Sequence, residues 1–325
     1  MRMVDVVLVS SFVAFGFGCK EDDDDDGNDS SGSGSSGSSW LVGDDGEMLR
    51  LTTAGATLPY VLSTEADLNA IACIGTTAAW VVGSGGTVLS TVDSGESWQT
   101  HDIGTAADLV AVAVDEHGEA PRIVIAGDGV LLSRRGDGAF ASVHDGDIDW
   151  AAVALGRDRL LAVSSDGTVW RSDDEAPLAL VATFDTQTPS AISVAGTTDV
   201  AVVVGAEGFV ARTDDGGATW SAVSVPTIRD LWAVRVSHDG DELVAVGDAG
   251  VVVRVDDAGA TAEELLDPAL SLRAVHIHGE GAGHTVGDAG TALVTADFGA
   301  SWEPIVLGVD TVLRGVDAIR VHGHW

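Results

Sequence analysis

Lysine and arginine together number 16 against 51 acidic residues, so the few guanidinium groups stand out by position. Arg229 precedes, and Arg273 and Arg314 open, three consecutive copies of a repeated phrase: Leu231-Trp-Ala-Val234, Leu272-Arg-Ala-Val275 and Leu313-Arg-Gly-Val316. A planar guanidinium grips a carboxylate or phosphate through two parallel hydrogen bonds. With Trp232 as an aromatic anchor, Arg229, Arg273 and Arg314 form the candidate ligand- or partner-binding set. Local salt bridges to the many neighbouring acids are the competing reading. A second set is imidazole: His276, His278, His284, His322 and His324 gather near the C-terminus. Converging neutral imidazoles hold Zn²⁺ or related ions, and His278, His284, His322 and His324 are the metal candidates, although their spacing fits no ligand motif. No residue is nominated as catalytic, and no cofactor is expected. Cys73 sits in an apolar phrase and reads as an inert buried thiol.

These residues are carried by a repeat. An apolar strand, a glycine turn and a second apolar strand recur, as in Trp40-Leu-Val-Gly-Asp-Asp-Gly46, Trp80-Val-Val-Gly-Ser-Gly-Gly86 and Val244-Ala-Val-Gly-Asp-Ala-Gly250. The closing glycines of the seven copies lie 40, 43, 38, 41, 42 and 40 residues apart, wide enough for one four-stranded blade. The phrase that holds the arginines also recurs seven times, with alanine in third place six times and glycine once. Strands that converge on an axis need small side chains, so this phrase reads as the innermost strand. The strands are nearly continuous apolar runs, whereas an antiparallel sheet with one wet face alternates. Blades stacked radially cover both faces of every sheet. The expected fold is all-β: a seven-bladed propeller of four-stranded antiparallel blades over residues 40–325, with the strand beginning at Leu313 completing the blade that begins at Trp40.

Three repeats continue as Thr91-Val-Asp-Ser-Gly-Glu-Ser-Trp98, Thr213-Asp-Asp-Gly-Gly-Ala-Thr-Trp220 and Thr295-Ala-Asp-Phe-Gly-Ala-Ser-Trp302. The pattern S/T-x-D-x-G-x-S/T-W resembles the Asp-box (BNR) repeat, whose propellers include sialidases, sortilin-type receptors and the photosystem-assembly-factor type. The longer phrase V-V-G-x-x-G-x-V-x-x-T-x-D-x-G-x-S-W is most similar to the last group, and that resemblance implies an assembly or binding scaffold. Asp93, Gly95, Trp98, Asp215, Gly217, Trp220, Asp297, Gly299 and Trp302 are read as structural: the aspartate caps a tight turn, glycine allows positive φ, and the ring fills the wedge between diverging blades. A sialidase mechanism would need a tyrosine near the axis, and the only tyrosine, Tyr60, falls on an expected outer strand.

Residues 1–18 have the layout of a signal peptide, with Arg2 ahead of the apolar stretch Val6–Phe17. Cys19 follows directly and resembles the lipidated cysteine of a bacterial lipoprotein. Residues 19–39 hold the run Asp22–Asp26 and a Ser/Gly-rich stretch, which reads as a solvated tether. Beyond residue 39 there remain 43 acidic and 14 basic residues, a body that repels nucleic acid. The expectation is a non-catalytic, monomeric scaffold, lipid-anchored in the bacterial cell envelope or else secreted, that binds a protein or glycan. The alternative is a carbohydrate-active enzyme, a glycoside hydrolase or lyase, which would require two convergent carboxylates.

Overall fold

A computed structural model describes residues 38–318 apart from 53–56, 117–119, 145, 157–158, 174–175 and 279–280. The signal segment, Cys19, the acidic tether, His322 and His324 lie outside the described residues. Seven four-stranded antiparallel sheets follow one another round a ring, and the described residues contain no α-helix. In blades 2 to 7 the chain runs from the inner strand outwards. The inner strands are Leu68–Ile74, Leu109–Asp115, Trp150–Gly156, Pro189–Val194, Leu231–Val236 and Leu272–Ile277. Blade 1 takes its inner strand, Leu313–Ala318, from the far end of the chain and its other three from Ser38–Gly43, Met48–Thr52 and Thr57–Tyr60. The closing pairs run from Ser39 opposite Ala318 to Gly43 opposite Leu313. The strand that includes Trp40 starts two residues earlier than the tryptophan, at Ser38, and Trp80 likewise sits third in Ala78–Gly83.

The core consists of seven clusters, one in each seam between neighbouring blades. In blade 5, Val202 and Val204 face blade 6 while Ala201 and Val203 face blade 4, all of them buried. The period-2 side-chain alternation of a strand is still present, but both faces meet protein, so both must be apolar. Each such valine or leucine contributes roughly 1.5–3 kcal/mol. The repeated glycine that ends the second strand answers a different constraint. A Cβ on Gly247 or Gly287 would fall on the carbonyl oxygen of Asp230 or Ser271, just ahead of the inner strand. The turn therefore lies directly against the backbone, and Asp248 and Asp288 donate their N–H groups to those same oxygens at 2.9 and 3.0 Å.

Candidate functional site

The inner strands share a defect. In blades 2 to 4, ladder pairing skips from Leu68 to Ala70, from Leu109 to Ala111 and from Trp150 to Ala152. In blades 5 to 7 it skips from Pro189 to Ala191, from Leu231 to Ala233 and from Leu272 to Ala274. In blade 1 the shift falls opposite Leu313 and Gly315, so Arg314 is passed over. The second residue of every inner strand is thus a β-bulge, released from the ladder and free to be re-aimed. Asn69, Val110, Ala151, Ser190, Trp232, Arg273 and Arg314 occupy this place, and all are half-buried. Three consecutive blades carry the large side chains Trp232, Arg273 and Arg314; the opposite arc carries Val110, Ala151 and Ser190.

Trp232 and Arg273 are joined by a continuous hydrogen-bond network. Trp232 donates its indole N–H to Asp248 at 2.6 Å, and Ser271 donates its hydroxyl to the same carboxylate oxygen at 2.8 Å. Ser271 also donates its backbone N–H to Asp288, which receives Arg273 through two hydrogen bonds of 2.9 and 3.3 Å. The Arg273 guanidinium stands 5.2 Å from the centre of the Trp232 ring, a cation–π contact. Arg314 pairs with Asp44 of blade 1. Arg273 and Arg314 keep 31% and 39% of their side chains exposed. Arg229 departs from the pattern: it precedes its inner strand, and its register is taken by Trp232. It pairs with Glu264 on the outermost strand of blade 6 at 2.8 Å, and that contact holds the Glu264 carboxyl below its usual range.

The nearby acids have structural duties. Asp67, Asp108 and Asp230 each accept a backbone N–H from a glycine turn, those of Asp45, Gly85 and Glu207, at 2.8–3.0 Å. Every described carboxyl with a resolved shift is lowered rather than raised, whereas a general acid for glycosidic cleavage needs the reverse. Tyr60 lies on the outermost strand of blade 1, packed on Trp40 with ring centres 4.8 Å apart.

Three of the five histidines do come together, with the rings of His276 and His278 standing 4.8 Å apart. His284 lies within the second strand of blade 7, directly opposite His276 on the inner strand, and not in the connection between them. His276 Nδ1 meets Asp317 at 2.6 Å, while His284 Nδ1 meets the Ser39 hydroxyl at 3.0 Å. Burial, reinforced by repulsion from neighbouring imidazoles, lowers His278 and His284 to about 4, leaving them neutral near pH 7. Among the described residues no group of three or more histidine, cysteine or acidic side chains is disposed to hold a metal ion. Arg235 and Asp317 were not singled out by sequence, and His276 only as one of the C-terminal histidines; the signal the three share is the fifth place of three consecutive inner strands.

The Asp-box residues form three matching turns. In the second, Thr213 donates to Asp215 at 2.7 Å and accepts the Gly217 N–H at 2.9 Å; Asp215 accepts the backbone and hydroxyl of Thr219 at 2.8 and 2.6 Å. Asp93 and Asp297 repeat the arrangement with Ser97 and Ser301. The hydrogen bonds from Ser97 and Thr91 lower Asp93 to about 2. Gly95, Gly217 and Gly299 have positive φ, and a Cβ at each would strike Trp40, Leu161 or Val244 of the preceding blade. Trp220 and Trp302 donate their indole N–H to the box glycine at 3.2 Å, while the Trp98 N–H is buried without a partner.

A sequence profile described as photosynthesis system II assembly factor YCF48 matches residues 180–320. This is an Asp-box (BNR-type) propeller similar to YCF48. Among solved structures, one described as YCF48 bound to D1 peptide has 17% identity and a TM-score of 0.61, covering 79% of this chain and 92% of its own. YCF48 from Cyanidioschyzon merolae has 15% identity and a TM-score of 0.60, covering 77% and 88%. A protein from Lactobacillus plantarum has 15% identity and a TM-score of 0.64, covering 88% and 100%. At these identities the likeness is one of fold. No curated protein matches the chain.

Proposed function

We propose that this propeller is a non-catalytic binding or assembly scaffold whose ligand is a protein segment, recognised at the arc of Trp232, Arg273 and Arg314. The observation that carries the reading is the asymmetric ring of bulges: bulky, partly exposed cationic and aromatic groups on three consecutive blades face small residues across the axis. A partly exposed guanidinium over an indole, with a second partly exposed arginine on the next blade, suits a carboxylate on an extended peptide, with the ring packing against an apolar neighbour. A protein of similar fold is described as bound to a peptide, which favours the same class of ligand here. Arg229 belongs at the rim, steering acidic segments rather than gripping them. The leader and Cys19 support an extracytoplasmic, lipid-anchored placement, with the residues between Cys19 and the first strand at Ser38 as the spacer.

The test is a peptide array probed with the intact chain and with Arg273→Glu/Arg314→Glu. Peptides held by the parent protein should lose at least about tenfold in affinity, since each desolvated charged hydrogen bond is worth roughly 1.5–3 kcal/mol. Equal binding by a folded double variant removes the arc from the site. Globomycin-sensitive labelling of Cys19 with an alkyne fatty acid tests the anchor, and absence of label refutes it.

A further inference from the structure

A second tier of charged and polar groups lies three residues further along the same three inner strands, about 10 Å from the bulges at roughly 3.3 Å per residue. Arg235, His276 and Asp317 occupy the fifth place of the blade 6, blade 7 and blade 1 strands. The same place holds Ala72, Ala113, Ala154 and Ser193 in blades 2 to 5. Asp317 is enclosed by protein, although 20% of its side chain still meets solvent. One of its oxygens takes His276 Nδ1 at 2.6 Å, and the other accepts the backbone N–H of Cys73 in blade 2 at 2.7 Å. Its own strand adds the Ala318 N–H at 2.9 Å, and Arg235 attracts it from blade 6. The ring is closed here by strand pairing alone, because Leu313–Ala318 and Ser38–Gly43 are the two distant segments that share blade 1.

We propose that Asp317 is the latch of the ring: its ionised carboxylate binds blades 7, 1 and 2 at the place where the ring is closed without a covalent bond, and removing that charge lets the closing strand detach while the other blades stay folded. Two features support a latch over an incidental ion pair. The carboxylate receives groups from both neighbouring blades, so it spans two seams at once. It also stays charged despite its enclosure: burial pushes it up, but His276, the Cys73 N–H and Arg235 prevail and hold it at about 2. The groups facing it are His276 and His278 from blade 7, Arg235 from blade 6 and the Cys73 N–H from blade 2; burial lowers His278 to about 4, so His278 adds no charge near pH 7. A latch also explains why a buried carboxylate persists at a place that is alanine or serine in blades 2 to 5. It further sets the mutual register of the strands that carry Trp232, Arg273 and Arg314.

Hydrogen exchange of the intact chain and of Asp317→Asn, which keeps the shape and removes the charge, tests the latch. The amides of Val42 and Gly315 face each other across the closure, and those of Val163 and Val203 report blades 4 and 5. The latch requires exchange at least about tenfold faster at Val42 and Gly315, with Val163 and Val203 unchanged. Unchanged exchange at all four amides, or equal acceleration at all four, overturns it. If Asp317→Asn gives no folded protein, His276→Gln removes one partner and decides the matter by the same readout: selective acceleration at the closure upholds the latch, and uniform or absent acceleration rejects it.

Discussion

At the scale of single residues, the charges of this protein are mostly spent on its own backbone. Asp67, Asp108 and Asp230 bind turn amides, Asp44 and Asp288 bind arginines, and the Asp-box carboxylates bind hydroxyls and N–H groups of their own turns. What remains for a ligand is the exposed part of Arg273, over Trp232, and of Arg314 on the next blade. The histidines have a distinct thermodynamic consequence. His278 and His284 are neutral in the folded protein down to about pH 4, while free imidazoles take up protons near pH 6.5. Between those values the unfolded chain binds the protons first, so stability present above pH 6.5 is lost as the pH falls toward 4. Urea unfolding at several pH values should show this decline, and His284→Gln should flatten part of it. A slope unchanged in the variant would assign the decline to other groups.

At the scale of the element, the Asp-box turn joins the third strand to the short outer strand and seats its glycine on the blade before it. Thr213 is its centre: the buried hydroxyl accepts the Gly217 and Asp215 amides and donates to the Asp215 carboxylate. Thr213→Val keeps the shape but strands those groups, and should cost about 1–3 kcal/mol in chemical denaturation. No loss would mean that water replaces the hydroxyl. The inner strand is the other informative element. Its bulge turns the second residue out of the ladder in every blade, and this is why a repeat of near-identical strands can present six different side-chain types at one level. Sequence repetition located that second position, since Arg273 and Arg314 follow equivalent leucines. It did not reveal the bulge, because bulging depends on pairing with the neighbouring strand.

At the scale of the whole molecule, the ring is a chain of seven similar blades, of which blade 1 joins strands far apart in sequence. Leu313 and Val316 are buried there against Leu41 and Leu49. Deleting residues 313–325 removes those two side chains, roughly 3–6 kcal/mol of apolar burial, together with the whole closing ladder and the Asp317 contacts. The melting temperature should fall and the transition should broaden as the ends fray. An unchanged transition would show that the ring is held shut elsewhere. Long-range closure of this kind also makes folding wait on the last strand, since contacts of high sequence separation form late.

The sequence by itself determined the number of blades, the order of strands within each, the closing strand, the Asp-box turns and the outer placement of Tyr60. These follow from local pattern: apolar runs, glycine spacing and a small residue at the third place are properties of one repeat, written seven times. Only the tertiary structure decided which side chains meet across blades. Arg229 turned outward to Glu264, Trp232 took its place beside Arg273, His284 moved into a strand facing Ser39, and Arg235, His276 and Asp317 came together at one level. Those partners lie about one blade or the whole ring apart in the chain, so no spacing within a repeat encodes them; they are set by the packing of one sheet on the next and by the strand that closes the ring.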